Sequence, residues 1–135
     1  MTKQVSFHLT AKRRGCHLVT SEVLSHLPRP LPQAGLLHLF VQHTSCALSI
    51  NENAAPDVRT DLSQIMNHLV KENEPYYNHT MEGLDDMPAH AKCSLLGVSL
   101  TIPITNGLLY SWNFSGVIIG SFIASFAKSN NCSIC

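Results

Sequence analysis

The chain lacks an excess of charge of either sign and has few aromatic residues. Nine Lys and Arg balance nine Asp and Glu, and only one of the 135 residues is tryptophan. A zero net charge provides no basic field for a nucleic-acid backbone, so we expect no nucleic-acid partner. A hydrophobic fraction of 44% supplies enough apolar surface for the core of one domain.

The start of the chain also lacks the apolar core of a secretory signal, and its five cysteines are scattered. An odd set of this kind does not form a disulfide framework, so we predict reduced thiols and a cytoplasmic protein. The apolar stretch from Phe114 to Ala127 is shorter than the roughly 20 residues that cross a bilayer. We therefore expect no membrane span and interpret this stretch as a core strand.

Strand and helix patterns alternate along the chain. Apolar residues at every second position predict strands over Val5–Leu9 and Ser94–Ile104, and Asn106-Gly107 is a strong hairpin signal. A short apolar run predicts a buried strand over Leu36–Gln42, followed by another over Cys46–Ile50. A helical stripe follows Thr20, and the surest helix begins at Pro56. This mixture predicts an α+β fold rather than a doubly wound parallel sheet.

The spacing within two elements predicts which side chains share a face. In the helix after Pro56, Val58, Leu62, Ile65 and Leu69 follow at intervals of four, three and four residues, so we expect them on one apolar face. In the strand from Leu37 to His43, alternation places His43 on the same face as Leu37, Leu39 and Val41, and Ser45 beyond the strand points the same way.

Histidine is abundant, with eight residues, and it is the commonest metal ligand in proteins. The polar stretch from Glu72 to Lys92 has no sustained apolar period, so we expect a long functional loop. It carries His79, Glu82, Asp85, Asp86 and His90. Imidazole nitrogens combined with carboxylate oxygens suit zinc, manganese or iron. The alternative is an acidic surface loop, since no tight metal-binding motif is matched.

The segment before the second helix is a candidate anion site. Asn51 and Glu52 precede free backbone amides that could bind a phosphate, although ordinary helix capping explains them equally well. Lys92 and Arg59 could pair with phosphate oxygens or form salt bridges with nearby aspartates.

An ordered series of motifs resembles the YjbQ-like family, also described as secondary thiamine-phosphate synthases. The motifs are Leu36-Leu-His-Leu, Gln42-His-Thr-Ser, Asn51-Glu-Asn, Pro56-Asp-Val-Arg-Thr-Asp61, Tyr77-Asn-His, Glu82-Gly-Leu-Asp-Asp-Met-Pro-Ala-His90 and Ser94-Leu-Leu-Gly. The resemblance runs from about Lys3 to Trp112.

The resemblance implies an α+β fold with mixed or antiparallel, sandwich-like sheets and flanking helices, assembled as a homotrimer with polar pockets near the subunit boundaries. It implies a divalent ion, zinc or magnesium or manganese, held by His43, His79 and His90. The residues with implied catalytic roles are His43, Glu82, Asp85, Asp86 and His90. Those with implied substrate contacts are Thr44, Ser45, Asn51, Glu52 and Lys92.

The implied reaction is thiamine phosphate formation with release of diphosphate from a phosphorylated small molecule. After Trp112 the sequence departs from the family pattern, so we divide the chain into a YjbQ-like domain, residues 1–112, and a divergent apolar tail, residues 113–135. Two alternatives stay open: a non-catalytic trimeric module that binds a metal or anion, and an inactive truncated isoform.

Overall fold

The computed structural model describes residues 2–109, 115–121 and 133–134, in which eight strands and three helices form. In chain order they are β1 (Phe7–His8), β2 (Gly15–Leu18), α1 (Thr20–His26), β3 (Ala34–Phe40), β4 (Cys46–Glu52), α2 (Pro56–Leu69), α3 (Asp86–Leu96), β5 (Ser99–Thr105), β6 (Leu108–Leu109), β7 (Ser115–Ser121) and β8 (Ser133–Ile134).

The strands form two three-stranded sheets and one two-stranded sheet. Their orders are β2-β7-β4, β3-β5-β6 and β1-β8, and every described strand pair is antiparallel. The predicted α+β fold with antiparallel sheets and flanking helices is confirmed. β7 is the central strand of its sheet. The predicted domain boundary after Trp112 lies outside the described residues.

Both three-stranded sheets contribute to one hydrophobic core. Leu39 and Ile102 come from the β3-β5-β6 sheet, Cys46 and Leu48 come from β4, and Val23 of α1 packs with them. The predicted first strand also contributes, because the core contains Phe7 and Leu9. No helix in the described part of the chain is long and apolar enough to cross a membrane.

The hairpin prediction is confirmed, whereas the prediction of a fully buried third strand is wrong. Asn106 and Gly107 have φ values of 54° and 74°, the left-handed conformations that a tight two-residue hairpin requires. β3 is only half buried: Leu39 faces the core, while Leu36 and Phe40 are exposed on the opposite side. One face of β3 packs on the core, and the described residues leave its other face open.

α2 forms where predicted but faces the protein with a different side. Met66 is its buried residue, while Ile65 and Leu69 are 53% and 69% exposed. The predicted apolar face is therefore not buried at those two residues. A polar contact explains this orientation of α2. Asn67 turns inward and accepts a hydrogen bond from the buried Lys92, because a buried charge requires a hydrogen-bond partner.

α3 occupies part of the segment that we expected to be a loop. Its buried side contains small residues, Pro88, Ala89 and Cys93, together with Lys92. Ala89 packs against Ala47 of β4. Without large apolar residues at helical spacing, the sequence shows no recognisable amphipathic period, and the predicted loop over this part of the chain is wrong.

Candidate metal site

α3 and the segment before it bring three of the predicted side chains together. Asp86 and His90 are four residues apart in α3, a spacing that places both on one helical face. The Asp86 Oδ2 atom lies 2.6 Å from His79 Nε2 and 3.1 Å from His90 Nε2. The two imidazole rings lie 5.4 Å apart at their centroids. These three residues form the cluster that we call the His-Asp-His site.

The loop before β4 fixes the orientation of His90. The Nδ1 atom of His90 lies 3.0 Å from the backbone oxygen of Thr44. A carbonyl oxygen only accepts hydrogen bonds, so Nδ1 carries the proton and a neutral ring presents a lone pair at Nε2. Two acceptors, Nε2 and the Asp86 carboxylate, then face each other. This arrangement requires either a protonated ring or a cation between them.

Asp86 is held in its charged form. Burial by itself raises the pKa of this carboxyl, but the hydrogen bond from His79 and the charges of His90 and His79 outweigh it, so the pKa lies below its ordinary value. Its side chain is 11% exposed, against 43% for His79 and 32% for His90. The carboxylate is thus shielded while both histidines remain open to an incoming ligand.

The donor set fits a divalent metal ion. The three ligand atoms lie within 4.8 Å of one another, and ligands at about 2.0–2.1 Å from a tetrahedral zinc are roughly 3.3 Å apart. Two histidines with one carboxylate also form the ligand set of many catalytic zinc and non-haem iron sites. A carbonyl that fixes the tautomer of a ligating histidine is a usual outer partner in such sites.

His43, predicted as both a ligand and a catalytic residue, lies beside the site but is not among the three converging residues. Its Nδ1 accepts a hydrogen bond from the Ser45 backbone N–H at 3.0 Å, so a neutral ring carries its proton on Nε2. Burial, and then the charge of His90, lowers the pKa of His43, while Asp86 opposes this shift. In this tautomer the Nε2–H of His43 is a hydrogen-bond donor.

The two predicted carboxylates outside the cluster differ in position. Glu82 Oε2 lies 3.9 Å from His79 Nε2 and the side chain is 67% exposed, so Glu82 is at the rim. Asp85 precedes α3 at its N-cap position. The Asp85 charge acts on Lys92, which lies on another side of the helix.

The predicted substrate residues are distributed over three locations. The backbone oxygen of Thr44 accepts a hydrogen bond from His90, and the backbone N–H of Ser45, a residue that is 2% exposed, donates to His43. Asn51 and Glu52 lie at the far end of β4. At about 3.3 Å per residue they are roughly 20 Å along the strand from Ser45, so this single chain does not bring them to the cluster.

Lys92 is fully buried and points away from the His-Asp-His site. At about 100° per residue it lies roughly 160° around α3 from His90. Its Nζ donates to Asn67 Oδ1 at 2.7 Å, and the Arg14 guanidinium donates to the same oxygen at 3.0 Å. Arg14 also pairs with Glu72. Burial, and then the charge of Arg14, lowers the pKa of Lys92.

Sequence reasoning did not select Asn67 or Arg14. Each looks like an ordinary polar surface residue, and no spacing signal connects a position before β2 with one near the end of α2. Only the inward orientation of Asn67 shows that α2 and α3 are joined through a buried polar contact.

The fold and the site define an antiparallel α+β protein with a cluster of two histidines and one carboxylate that could hold a metal ion. The family model described as "UPF0047 protein YjbQ-like" matches residues 5–122, and the chain belongs to this YjbQ-like family. It is 44% identical to the UPF0047 protein YjbQ of Escherichia coli O157:H7 over 121 residues, which cover 89% of this chain and 87% of the relative.

Other relatives agree with this assignment. The UPF0047 protein sll1880 of Synechocystis is 40% identical over 82% of this chain and 76% of its own length. Among solved structures, the conserved hypothetical protein TT1486 from Thermus thermophilus superposes with a TM-score of 0.79 at 26% identity, covering 98% and 97% of the two chains. A YjbQ/UPF0047 protein of Clostridium acetobutylicum, 24% identical, has a TM-score of 0.76 over 98% and 97% and supports the fold alone.

Proposed function

We propose that this protein is a metal-assisted enzyme that acts on phosphorylated small molecules. The observation that carries the proposal is the His-Asp-His site, in which the Thr44 carbonyl directs the lone pair of His90 towards a charged carboxylate. His79, Asp86 and His90 are the proposed ligands, and zinc, magnesium and manganese are the candidate ions. The names of the relatives state no reaction, so the chemistry of the site is the basis of the proposal.

A bound divalent ion would neutralise the charge that develops on a phosphate or diphosphate leaving group. The residues of the chain supply the rest. Asp86 stays ionised and orients both histidines through its Oδ2 atom. His43, neutral with its proton on Nε2, is suited to donate a hydrogen bond to a substrate oxygen. Glu82 at the rim is suited to accept a proton from an incoming group.

The specific reaction that we propose is thiamine phosphate formation with release of diphosphate, as the family resemblance implies. Substrate contact by Thr44 and Ser45 stays a prediction, and their backbone groups orient His90 and His43 at the site. Catalytic participation of Asp85 and substrate contact by Lys92 stay predictions. Lys92 lies on the side of α3 that faces α2, and the charge of Asp85 acts on it there.

We also propose that the protein assembles as a homotrimer. The outer face of the β3-β5-β6 sheet supports this, since Leu36 is 71% exposed and Phe40 is 42% exposed there. Large exposed apolar side chains that share one face are typical of subunit contacts. In a trimer, Asn51 and Glu52 would serve a neighbouring subunit's site rather than their own. We retain the cytoplasm as the proposed location, in keeping with Cys16, Cys46 and Cys93, which form no disulfide among the described residues.

A coupled assay for thiamine phosphate tests the proposed reaction. The purified protein, loaded in turn with zinc, magnesium or manganese, is compared with His90→Ala and with His68→Ala. His68 is an exposed histidine of α2 whose ring contacts only the Gln64 carbonyl among the bonds described. We expect product with the wild type and with His68→Ala and its loss in His90→Ala. Equal background rates in all three would reject this reaction, and metal binding without turnover would favour a non-catalytic binding module.

A further inference from the structure

A groove lies directly beside the His-Asp-His site. It has a volume of about 580 Å³ and runs between the end of α2 and the first turns of α3. His79 belongs both to the groove wall and to the metal site. A ligand bound in the groove therefore touches the residue that contacts Asp86.

Helix geometry explains why the groove and the site are neighbours. The groove residues Met87 and Ala91 each follow a residue of the site, Asp86 or His90, by one position. One residue is a rotation of about 100° around the helix. The groove thus runs along the same helix, on the flank next to the proposed ligands.

The walls of the groove are mainly apolar and aromatic. Leu69 and Tyr76 are 69% and 73% exposed, so the described residues leave much of their apolar surface uncovered. Tyr76 and Tyr77 contact each other edge to face with ring centroids 4.9 Å apart, and the Tyr77 hydroxyl donates to the Lys71 carbonyl at 2.8 Å. These contacts hold the aromatic pair in place, and the neighbouring Asn78 supplies a polar group.

We propose that this groove binds the aromatic ring of a ligand whose phosphate group reaches the metal site. The volume lies in the range of small-molecule sites, about 300–1,000 Å³. Aromatic walls and a methionine favour a flat ring over an aliphatic chain, since rings gain from edge-to-face and sulfur contacts. The phosphate end of the ligand rests on the function proposed above, whereas the ring end rests on the groove alone.

Two probes with the same phosphate group test the ring end of the ligand separately from its phosphate end. Phenyl phosphate carries a ring and methyl phosphate does not, and both are titrated calorimetrically into zinc-loaded protein. We expect phenyl phosphate to bind at least about tenfold more tightly, because burying its ring removes apolar surface from water. In Tyr76→Ala this advantage should fall to about threefold or less, with the affinity for methyl phosphate unchanged. Leu95→Ala removes an exposed side chain of α3 outside the groove and should retain the full advantage.

The outcomes distinguish the groove from the metal site. If zinc binds and the two phosphates bind equally, the groove inference is overturned while the metal site stands. If zinc does not bind, benzyl alcohol is titrated against the metal-free protein. A shift of the Met87 methyl resonance that is absent in Tyr76→Ala then supports the groove, and no shift overturns it. A change of subunit number in Tyr76→Ala without any ring preference would make the groove a subunit contact and would also overturn the inference.

Discussion

Replacing Asn67 with alanine is expected to destabilise the protein although the residue does not belong to the hydrophobic core. The Asn67 side-chain oxygen accepts hydrogen bonds from Lys92 at 2.7 Å and from Arg14 at 3.0 Å. Lys92 is 0% exposed. The substitution removes an acceptor from a fully buried ammonium group, and losing a hydrogen bond to a buried charge is costly.

The magnitude follows from the two bonds. A hydrogen bond to a charged group contributes about 1.5–3 kcal/mol, and the buried Lys92 bond belongs at the upper end. Arg14 is partly exposed and keeps its ion pair with Glu72, so its share is small. We expect a total loss of about 3 kcal/mol in the free energy of unfolding. Alanine has the higher helix propensity, so a weaker helix cannot explain the loss.

Urea denaturation at one fixed protein concentration measures this loss. With a denaturant slope of about 2 kcal/mol per molar, the midpoint should fall by roughly 1.5 M. Gln64→Ala, at an exposed position of the same helix, should shift it little. Adding Lys92→Met to Asn67→Ala should restore part of the stability, since the buried charge is then gone. A loss below about 0.5 kcal/mol, or no recovery in the double variant, would refute the reasoning.

Three further predictions concern other parts of the structure. The hydrogen-bonded Asp86 has a pKa below its ordinary value of 3.8, so the stability that it contributes is complete above pH 3.8 and is lost as the pH falls through the lower folded value. In Asp86→Asn, the free energy of unfolding should therefore fall less steeply as the pH is lowered through this range, which denaturation at a series of pH values measures. An unchanged pH dependence would contradict this. Gly97 ends α3 with φ at 88° and ψ at 164°, a backbone conformation that essentially only glycine adopts. A Cβ added there would meet nothing within 4 Å, so Gly97→Ala should lower the free energy of unfolding by about 1–3 kcal/mol through the backbone alone. A thermal melt measures this loss, and a neutral effect would count against this backbone account. Leu36→Ser should reduce the subunit number seen by light scattering if the β3 face is the trimer contact, with Leu95→Ser as control, and an unaltered trimer would exclude that face.

Local signals in the sequence were sufficient to predict several structural elements. The Asn106-Gly107 turn and the start of α2 at Pro56 are encoded in a few neighbouring residues, so they could be predicted without the rest of the chain. The cluster of His79, Asp86 and His90 could also be predicted as a set, because its members lie within twelve residues and two of them have helical spacing.

Other features depend on tertiary contacts that the sequence does not display. α3 buries Lys92 and small residues rather than a stripe of large apolar ones, so it has no helical period to recognise. α2 turns Asn67 inward because that lysine needs an acceptor, and this leaves Leu69 outside to line a groove. The role of the Thr44 carbonyl was equally hidden, since a backbone contact with His90 leaves no mark on side-chain composition.

The central claim is that His79, Asp86 and His90 hold a divalent metal ion. The most direct test is a calorimetric zinc titration of the chelator-treated protein beside His90→Ala and His68→Ala, with native mass spectrometry of the same samples. We predict one zinc per chain in the wild type and in His68→Ala, and a loss of affinity of at least about tenfold in His90→Ala. Equal zinc binding by all three proteins, or none by the wild type, would contradict the claim.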